Sequence, residues 1–376
     1  MKEGRSLQDL AAELERQRDA KRDFIADTRS LSMFHEARED GQLGRVGLAM
    51  ADFDEGGLQP SKHCHRQIGA RLGIPAKYYD RMLEESPGLL AENVNHWFRQ
   101  QPEKRMIRTM DGRARAFLSE RYRPLDNFDL ASAVLPVLQA TGANVESCEV
   151  TESRLYLKAV LPEHRAEIPP AGVESWEWGK DHHSIDVVEA GLVISNSEIG
   201  VGALTIQPGA HTRQCSNLAI FESDKMSKYH VGRALGGSGK EGELDILEYM
   251  TDETRAKSDE AIWLQVRDLV QASLTGVVFE AIVARLKDAR GHPIEGEIAE
   301  VVEVVSERLG LTDGEQKGVL DFLAKGGDMT QYGISNAITR LSQDCDNYDR
   351  ATELERAGGR IIELPRKEWA SLAAAA

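Results

Sequence analysis

The sequence predicts an α+β protein: antiparallel sheet hairpins with covering helices, followed by a helical C-terminal part. Three observations carry this. Asp111-Gly112 sits between two strand-compatible runs and supplies the positive φ angles of a two-residue hairpin turn. A helical pattern through Leu130, Val134, Val137 and Leu138 to Gly142 separates that hairpin from a second strand pair at 145–150 and 154–161, an order in which the helix covers a sheet face. Ile262, Val266, Leu269, Val270, Leu274, Val277, Val278, Ile282 and Leu286 then form a long apolar stripe at helical spacing.

In chain order, residues 6–29 read as one polar helix, with Leu7, Leu10 and Leu14 on a surface or partner-facing stripe. Arg45 to Met50 is strand-like and Asp54 to Gly57 a turn. Two short helices follow between Pro60 and Glu85, the first capped by Ser61, with Gly73-Ile74-Pro75 as the break. Their outline is that of a helix-turn-helix, but Asp80, Glu84 and Glu85 on the second helix argue for simple packing over groove reading. Residues 89–100 form a helix with Trp97 and Phe98 near its end. After the hairpin, Asp126 or Asn127 caps the next helix.

Residues 162–181 read as a loop holding Trp176 and Trp178. A further hairpin joins 185–195 to 200–206, with Asn196-Ser197 in or near its turn. QPGAHTRQCSNLAIF reads as one extended strand or loop edge, and 224–234 as a helix before GGSGKEGE, the clearest linker in the chain. Helices at 298–309, 315–323, 333–341 and 346–357 complete the chain, the last stopped by Gly358-Gly359. The expected parts are 1–58, an N-terminal helix and strand segment; 59–236, the α+β core; and 237–376, the helical region.

The hairpin is also the densest positive charge. Between Arg99 and Arg123 stand eight basic residues (Arg99, Lys104, Arg105, Arg108, Arg113, Arg115, Arg121, Arg123) and three acidic ones, in a chain of net charge −16. With a plain two-residue loop, Arg108 faces Arg115. Ile107, Ala114, Ala116 and Leu118 then share a core face, and Arg108, Arg113 and Arg115 share the other. Two opposed arginines repel, so something acidic must lie over them. Two readings fit: a phosphate-binding face with Phe117 and Tyr122 near enough to stack a base, or a solvated face paired with the chain's own carboxylates.

With 41% apolar and 29% charged residues, 376 residues bury an ordinary core. No apolar stretch reaches membrane-spanning length, and the charged N-terminus is unlike a signal peptide, so a cytoplasmic protein with no membrane partner is expected. The acidic balance excludes indiscriminate coating of nucleic acid, so any DNA contact is local. Cys64, Cys148, Cys215 and Cys345 lie far apart and read as reduced thiols.

His63-Cys64-His65 and His182-His183 lack the spacing of a metal set, so no metal and no cofactor are expected. No phosphate-binding glycine loop or nucleophile elbow is present. A secondary candidate site gathers Asn196, Glu198, His211, Arg213, Cys215 and Asn217. Cys215 as a nucleophile needs a base such as His211 beside it, and Glu198 is the carboxylate most worth following as a magnesium ligand.

RAFLSERYRPLDN, NSEIGVGALTI and RQCSN resemble the phage/plasmid-like protein family known as domain of unknown function 932, most clearly over residues 60–233. That resemblance implies a prophage, plasmid or integrated element, in a setting of recombination or restriction evasion. The function expected is therefore a non-catalytic protein binding single-stranded or distorted DNA. In it Arg105, Arg108, Arg113, Arg115, Arg121 and Arg123 meet phosphates, Tyr122 stacks, and the helical part joins subunits in a homo-oligomer. The alternatives are an acidic interaction protein that counters host restriction by binding a host or phage protein, and a metal-dependent hydrolase.

Overall fold

The computed structural model describes residues 1–36, 44–50, 57–170, 185–228 and 251–374. Two antiparallel sheets organise them. The larger has the order β11(Asn217–Ile220), β10(Leu204–Thr212), β9(Asp186–Asn196), β8(Leu155–Ile168), β7(Asn144–Val150), with β12(Met226–Lys228) also on β10. The smaller has the order β1(Lys21–Asp27), β5(Lys104–Met110), β6(Arg113–Ser119), β4(Gln59–Pro60), the last pair parallel. β2(Leu31–Glu36) and β3(Arg45–Met50) form a separate ribbon. The α+β class stands.

The N-terminal segment is interleaved with the hairpin and the helices around it. Ser6 caps α1(Leu7–Ala20) by accepting from the Asp9 amide, and Leu10 and Leu14 are buried. The chain then turns directly into β1, so the second half of the expected helix is a strand that pairs with β5. Sheet hydrogen bonds to β5 outweigh the weak helical preference of Arg22-Asp23-Phe24-Ile25. Leu31, Met33, Leu48 and Leu58 share a core with α2(Lys62–Arg71), α3(Ala76–Glu85), α4(Pro87–Gln100) and the hairpin residues Ile107, Ala114 and Phe117. A boundary at residue 58 thus runs through a common core.

The larger sheet is covered on both faces. Leu155, Leu157, Ala159 and Leu161 alternate along β8 onto one face, where they pack with α5(Asn127–Ala140), α6(Asp252–Ser273) and α7(Gly276–Arg290). The expected long apolar stripe is therefore two helices, broken at Leu274-Thr275 and bent by 50°. The other face of β8 presents Tyr156 and Lys158 to α11(Tyr348–Ile362), where Lys158 and Glu355 form a fully buried ion pair at 2.6 Å. The helices α8(Ile298–Leu309), α9(Asp313–Gly326), α10(Gln331–Asp344), α11 and α12(Arg366–Ala373) enclose a core of their own.

Several expectations are corrected. β8 runs on to Ile168 through residues expected as loop. QPGAHTRQCSNLAIF is no single strand: β10 ends at Thr212, Ser216 takes a left-handed φ of 53°, and β11 returns. Residues 226–228 form a strand where a helix was expected. Trp176, Trp178, His182, His183 and the GGSGKEGE linker lie outside the described residues. Gly358-Gly359 does not stop a helix; both lie inside α11, where a Cβ on Gly358 would strike Ser335 and Thr339, and one on Gly359 the Ile220 carbonyl.

Those two glycines let α11 approach α10 and β11 at backbone distance. Gly359→Ala is expected to destabilise the protein by about 2 kcal/mol, because backbone on β11 cannot yield as a side chain would. Helix propensity alone predicts a gain of up to about 1 kcal/mol. Urea denaturation of the two proteins separates the outcomes by sign.

Candidate functional site: the arginine clasp and the cleft beside it

The turn at Asp111-Gly112 forms as its residues dictate, with φ of 53° and 71°. The register beyond it differs from the simple expectation. Thr109 pairs with Ala114 but Arg108 pairs with Ala116, so Arg115 is an extra, bulged residue. The bulge turns Ala116 and Leu118 away from Ala114 and onto the Arg108 side. There they pack with Met106, Ile199 and Tyr122, while Ile107, Ala114 and Phe117 face the other core. Arg108 and Arg115 are not opposed, and the arginine face is not open.

It is covered by the NSEIG turn after β9. Arg108 is 3% exposed. Its Nε donates to Asp23 at 2.9 Å, one terminal nitrogen to the Glu198 carbonyl at 2.9 Å, and the other to Asp126 at 2.7 Å. Lys21 also pairs with Asp126. Burial works to lower the Arg108 pKa, but Asp126 and Asp23 outweigh it and hold the guanidinium above its ordinary value. Burial likewise works to raise Asp126, and Arg108 and Lys21 outweigh it, holding that carboxyl below its ordinary 3.8. Asp126 sits at the N-cap of α5 without capping it. Glu198 supplies the anion instead: its Oε1 accepts the Asn127 amide at 2.8 Å and its Oε2 lies 3.2 Å from Arg115. Asn196 donates to the Leu125 carbonyl and to Asn127. Tyr122 donates to the Ser197 carbonyl at 3.1 Å, and burial pushes its phenol up.

The expected site residues therefore separate into groups. Arg108 lies in the interior, beyond reach of a phosphate. Arg105 is bound to Glu103 at 2.8 Å, Arg115 to Glu198 and Arg123 to Asp259. Tyr122 is packed as a pin between sheet and turn, so it offers no stacking platform. Arg113 and Arg121 are exposed. In the secondary set, Asn196 and Glu198 belong to the clasp. His211, Cys215 and Asn217 lie at the far end of β10, roughly 20 Å along the strands. There His211 is 3.4 Å from Glu189, burial lowers its pKa, and burial raises the Cys215 thiol, the reverse of an activated nucleophile. Asn217 bonds the Asn336 carbonyl and Gln343, and Arg213 is exposed. Among the described residues no three His, Cys, Asp or Glu side chains are grouped to hold a metal.

Beside the clasp lies a cleft of about 490 Å³. Ser61 builds one wall: its Oγ donates to the carbonyl of bulged Arg115 and accepts from the Cys64 amide, which fixes the N-terminus of α2. The Lys62 and His63 amides, in the first turn, have no acceptor within the helix. Lys62, Arg66, Arg113 and Arg115 line the cleft, as do Glu13 and Asp111, which Arg16 bridges, and the exposed Glu152. Arg113 makes no ion pair among the described residues, and Arg66 has only an exposed partner, Asp80, at 3.2 Å. His63 bonds the Ile199 carbonyl at 2.9 Å, and burial keeps its pKa below the ordinary value. Lys62, Arg66 and α1 carry no signal of the site in the sequence because they sit far along the chain from the hairpin; the Ser61 cap is the one legible pointer.

The chain matches no family model, no curated protein and no solved structure with which it was compared.

Replacing Arg108 with Met leaves Asp126 with Lys21 as its one cation and strips the donor from the half-open Asp23 carboxylate and the buried Glu198 carbonyl, and is expected to cost about 3 kcal/mol at pH 7. Asp126 has a depressed folded-state pKa, so the stability it contributes is present above 3.8 and is lost as pH falls through the folded value. The gap between wild type and Arg108→Met should therefore narrow below pH 4. Urea midpoints at pH 7 and pH 3 test this; a constant gap would refute the ionic account.

Proposed function

We propose that this chain is a non-catalytic nucleic-acid-binding protein that holds single-stranded or distorted DNA at the cleft beside the hairpin, in the recombination or replication of a phage or plasmid. The carrying observation is Arg113. It is an exposed arginine without an acidic mate among the described residues, at a cleft that also holds Lys62, Arg66 and the first amides of α2. Backbone N–H groups at a helix start together with two or three cations are what a phosphate diester requires. Of the carboxylates on the cleft, Glu13 and Asp111 share the one Arg16 guanidinium, which offsets half of their charge, and Glu152 is exposed. The chain's −16 charge keeps this contact local and makes it sensitive to salt. The mobile-element setting rests on the resemblance of the RAFLSERYRPLDN and NSEIGVGALTI segments, the two halves of the clasp.

Fluorescence anisotropy with labelled single-stranded 12-mers at rising salt tests the proposal. Arg113→Glu should weaken binding about tenfold or more and make the salt dependence shallower by about one phosphate contact. Unaltered affinity in that variant would refute the assigned site. Failure of the wild type to bind any oligonucleotide at low salt would favour the acidic interaction protein that counters host defence.

A further inference from the structure

The face of the larger sheet under α11 holds a second group of cations that the clasp does not use. Tyr156, Ser195, Thr205 and Ser227 are cross-strand neighbours on β8, β9, β10 and β12, so their hydroxyls form one row on that face. Arg356 reaches the row from α11: its Nε donates to Gln207 at 3.1 Å and one terminal nitrogen lies 3.5 Å from Ser195 Oγ. These partners are neutral, so they orient the guanidinium without offsetting its charge. The side chain is partly exposed, and its other terminal nitrogen makes no hydrogen bond among the described residues.

Two more arginines stand beside it. Arg154, just before β8, is near enough to repel Arg356; burial lowers the Arg356 pKa and Arg154 lowers it further. Arg360 lies one turn along α11 and is exposed. The acidic neighbours are Asp349, held by the Thr151 and Ser153 hydroxyls, Glu353, bonded to Arg350, Glu355, paired with Lys158, and Glu222, which acts on Arg356 from a distance. Among the described residues no carboxylate oxygen lies within 4.0 Å of Arg154, Arg356 or Arg360.

Arg154 joins this group to the cleft. Its guanidinium donates to the Val201 carbonyl at 3.3 Å and lies against Gly202, where a Cβ would strike it; Val201 and Ser153 both line the cleft. Guanidinium groups that repel one another and lack acidic mates are satisfied by an oxyanion, which accepts two parallel N–H bonds from a single fork. We propose that Arg154, Arg356 and Arg360 form a second phosphate site, which takes the bound strand where it leaves the cleft over the Val201-Gly202 turn. This deepens the nucleic-acid reading above and rests on it. The added contact fixes the path of the strand and is blind to its sequence.

Anisotropy with a labelled single-stranded 12-mer at rising salt tests the second site. Arg360 is exposed and has no side-chain bond to lose, so Arg360→Glu keeps the fold and should weaken binding about tenfold. Lys287→Glu makes the same change of charge on α7, across the sheet, and should alter binding by less than about twofold. Arg154→Gln and Arg360→Gln should each make the salt dependence shallower by about one phosphate contact. Equal affinity of Arg360→Glu and Lys287→Glu, with Arg113→Glu still impaired, would overturn the second site and leave the nucleic-acid reading standing. Failure of wild type to bind the strand at low salt would overturn both.

Discussion

One buried guanidinium holds the two sheets in register. Arg108 takes acceptors from three separate segments: Asp23 on β1, Asp126 at the start of α5, and the Glu198 carbonyl in the turn after β9. A planar fork with fixed donor directions can satisfy all three only in one relative placement, which a lysine's single rotating ammonium would not enforce. Such a cluster adds little net stability over a well-packed apolar replacement, because desolvating the charges costs about as much as their attraction returns. Its effect is on alternatives. A one-residue slip of β5 would drive the cation among Phe98, Ile68 and Phe117 and set Ile107 against two carboxylates.

Much of this is legible in the sequence, and the failures have physical causes. Residues that dictate their own backbone declare themselves: Asp111-Gly112 as a tight hairpin, Ser61 as a helix cap, Arg45–Met50 as a strand. Where the outcome depends on a distant partner, local pattern misleads. Lys21–Asp27 looks helical alone but is a strand because β5 offers it a full ladder. Gly358-Gly359 has the composition of a helix end, yet serves close approach to Ile220 and Ser335, residues far away in sequence. The bulge at Arg115 leaves no compositional mark, and one unpaired residue reverses the facing of everything after it. For the site, the arginine cluster is visible while its acidic mates, Asp23, Asp126, Glu198 and Asp259, are scattered over more than two hundred positions.

Charge balance explains why so basic a hairpin stands on so acidic a chain. Most of its cations are consumed internally, and the larger sheet repeats the pattern on its far face, where Lys158 meets Glu355 and Arg356 bonds Gln207 and Ser195. Polar layers of this kind join elements without a deep apolar seam, and they specify a partner by leaving any wrong one with an unmatched charge. The net −16 is then mostly a property of the outer surface, and the local excess counted along 99–123 overstates the charge open to a ligand.

The bulge decides which charges stay open. The extra residue at Arg115 directs its own side chain to Glu198 and frees its carbonyl for Ser61 Oγ, which brings the start of α2 against the hairpin. Arg113, two residues earlier and next to the turn, remains on the outside beyond the reach of the carboxylates that the clasp has drawn inward. α1 closes the opposite side because Arg16 reaches Asp111 in the turn itself, and this places Gln17 on the cleft wall. The irregularity that hides Arg108 is thus the same one that shapes the cleft: a single inserted residue divides the hairpin's arginines into those that fasten the fold and those that stay at the surface.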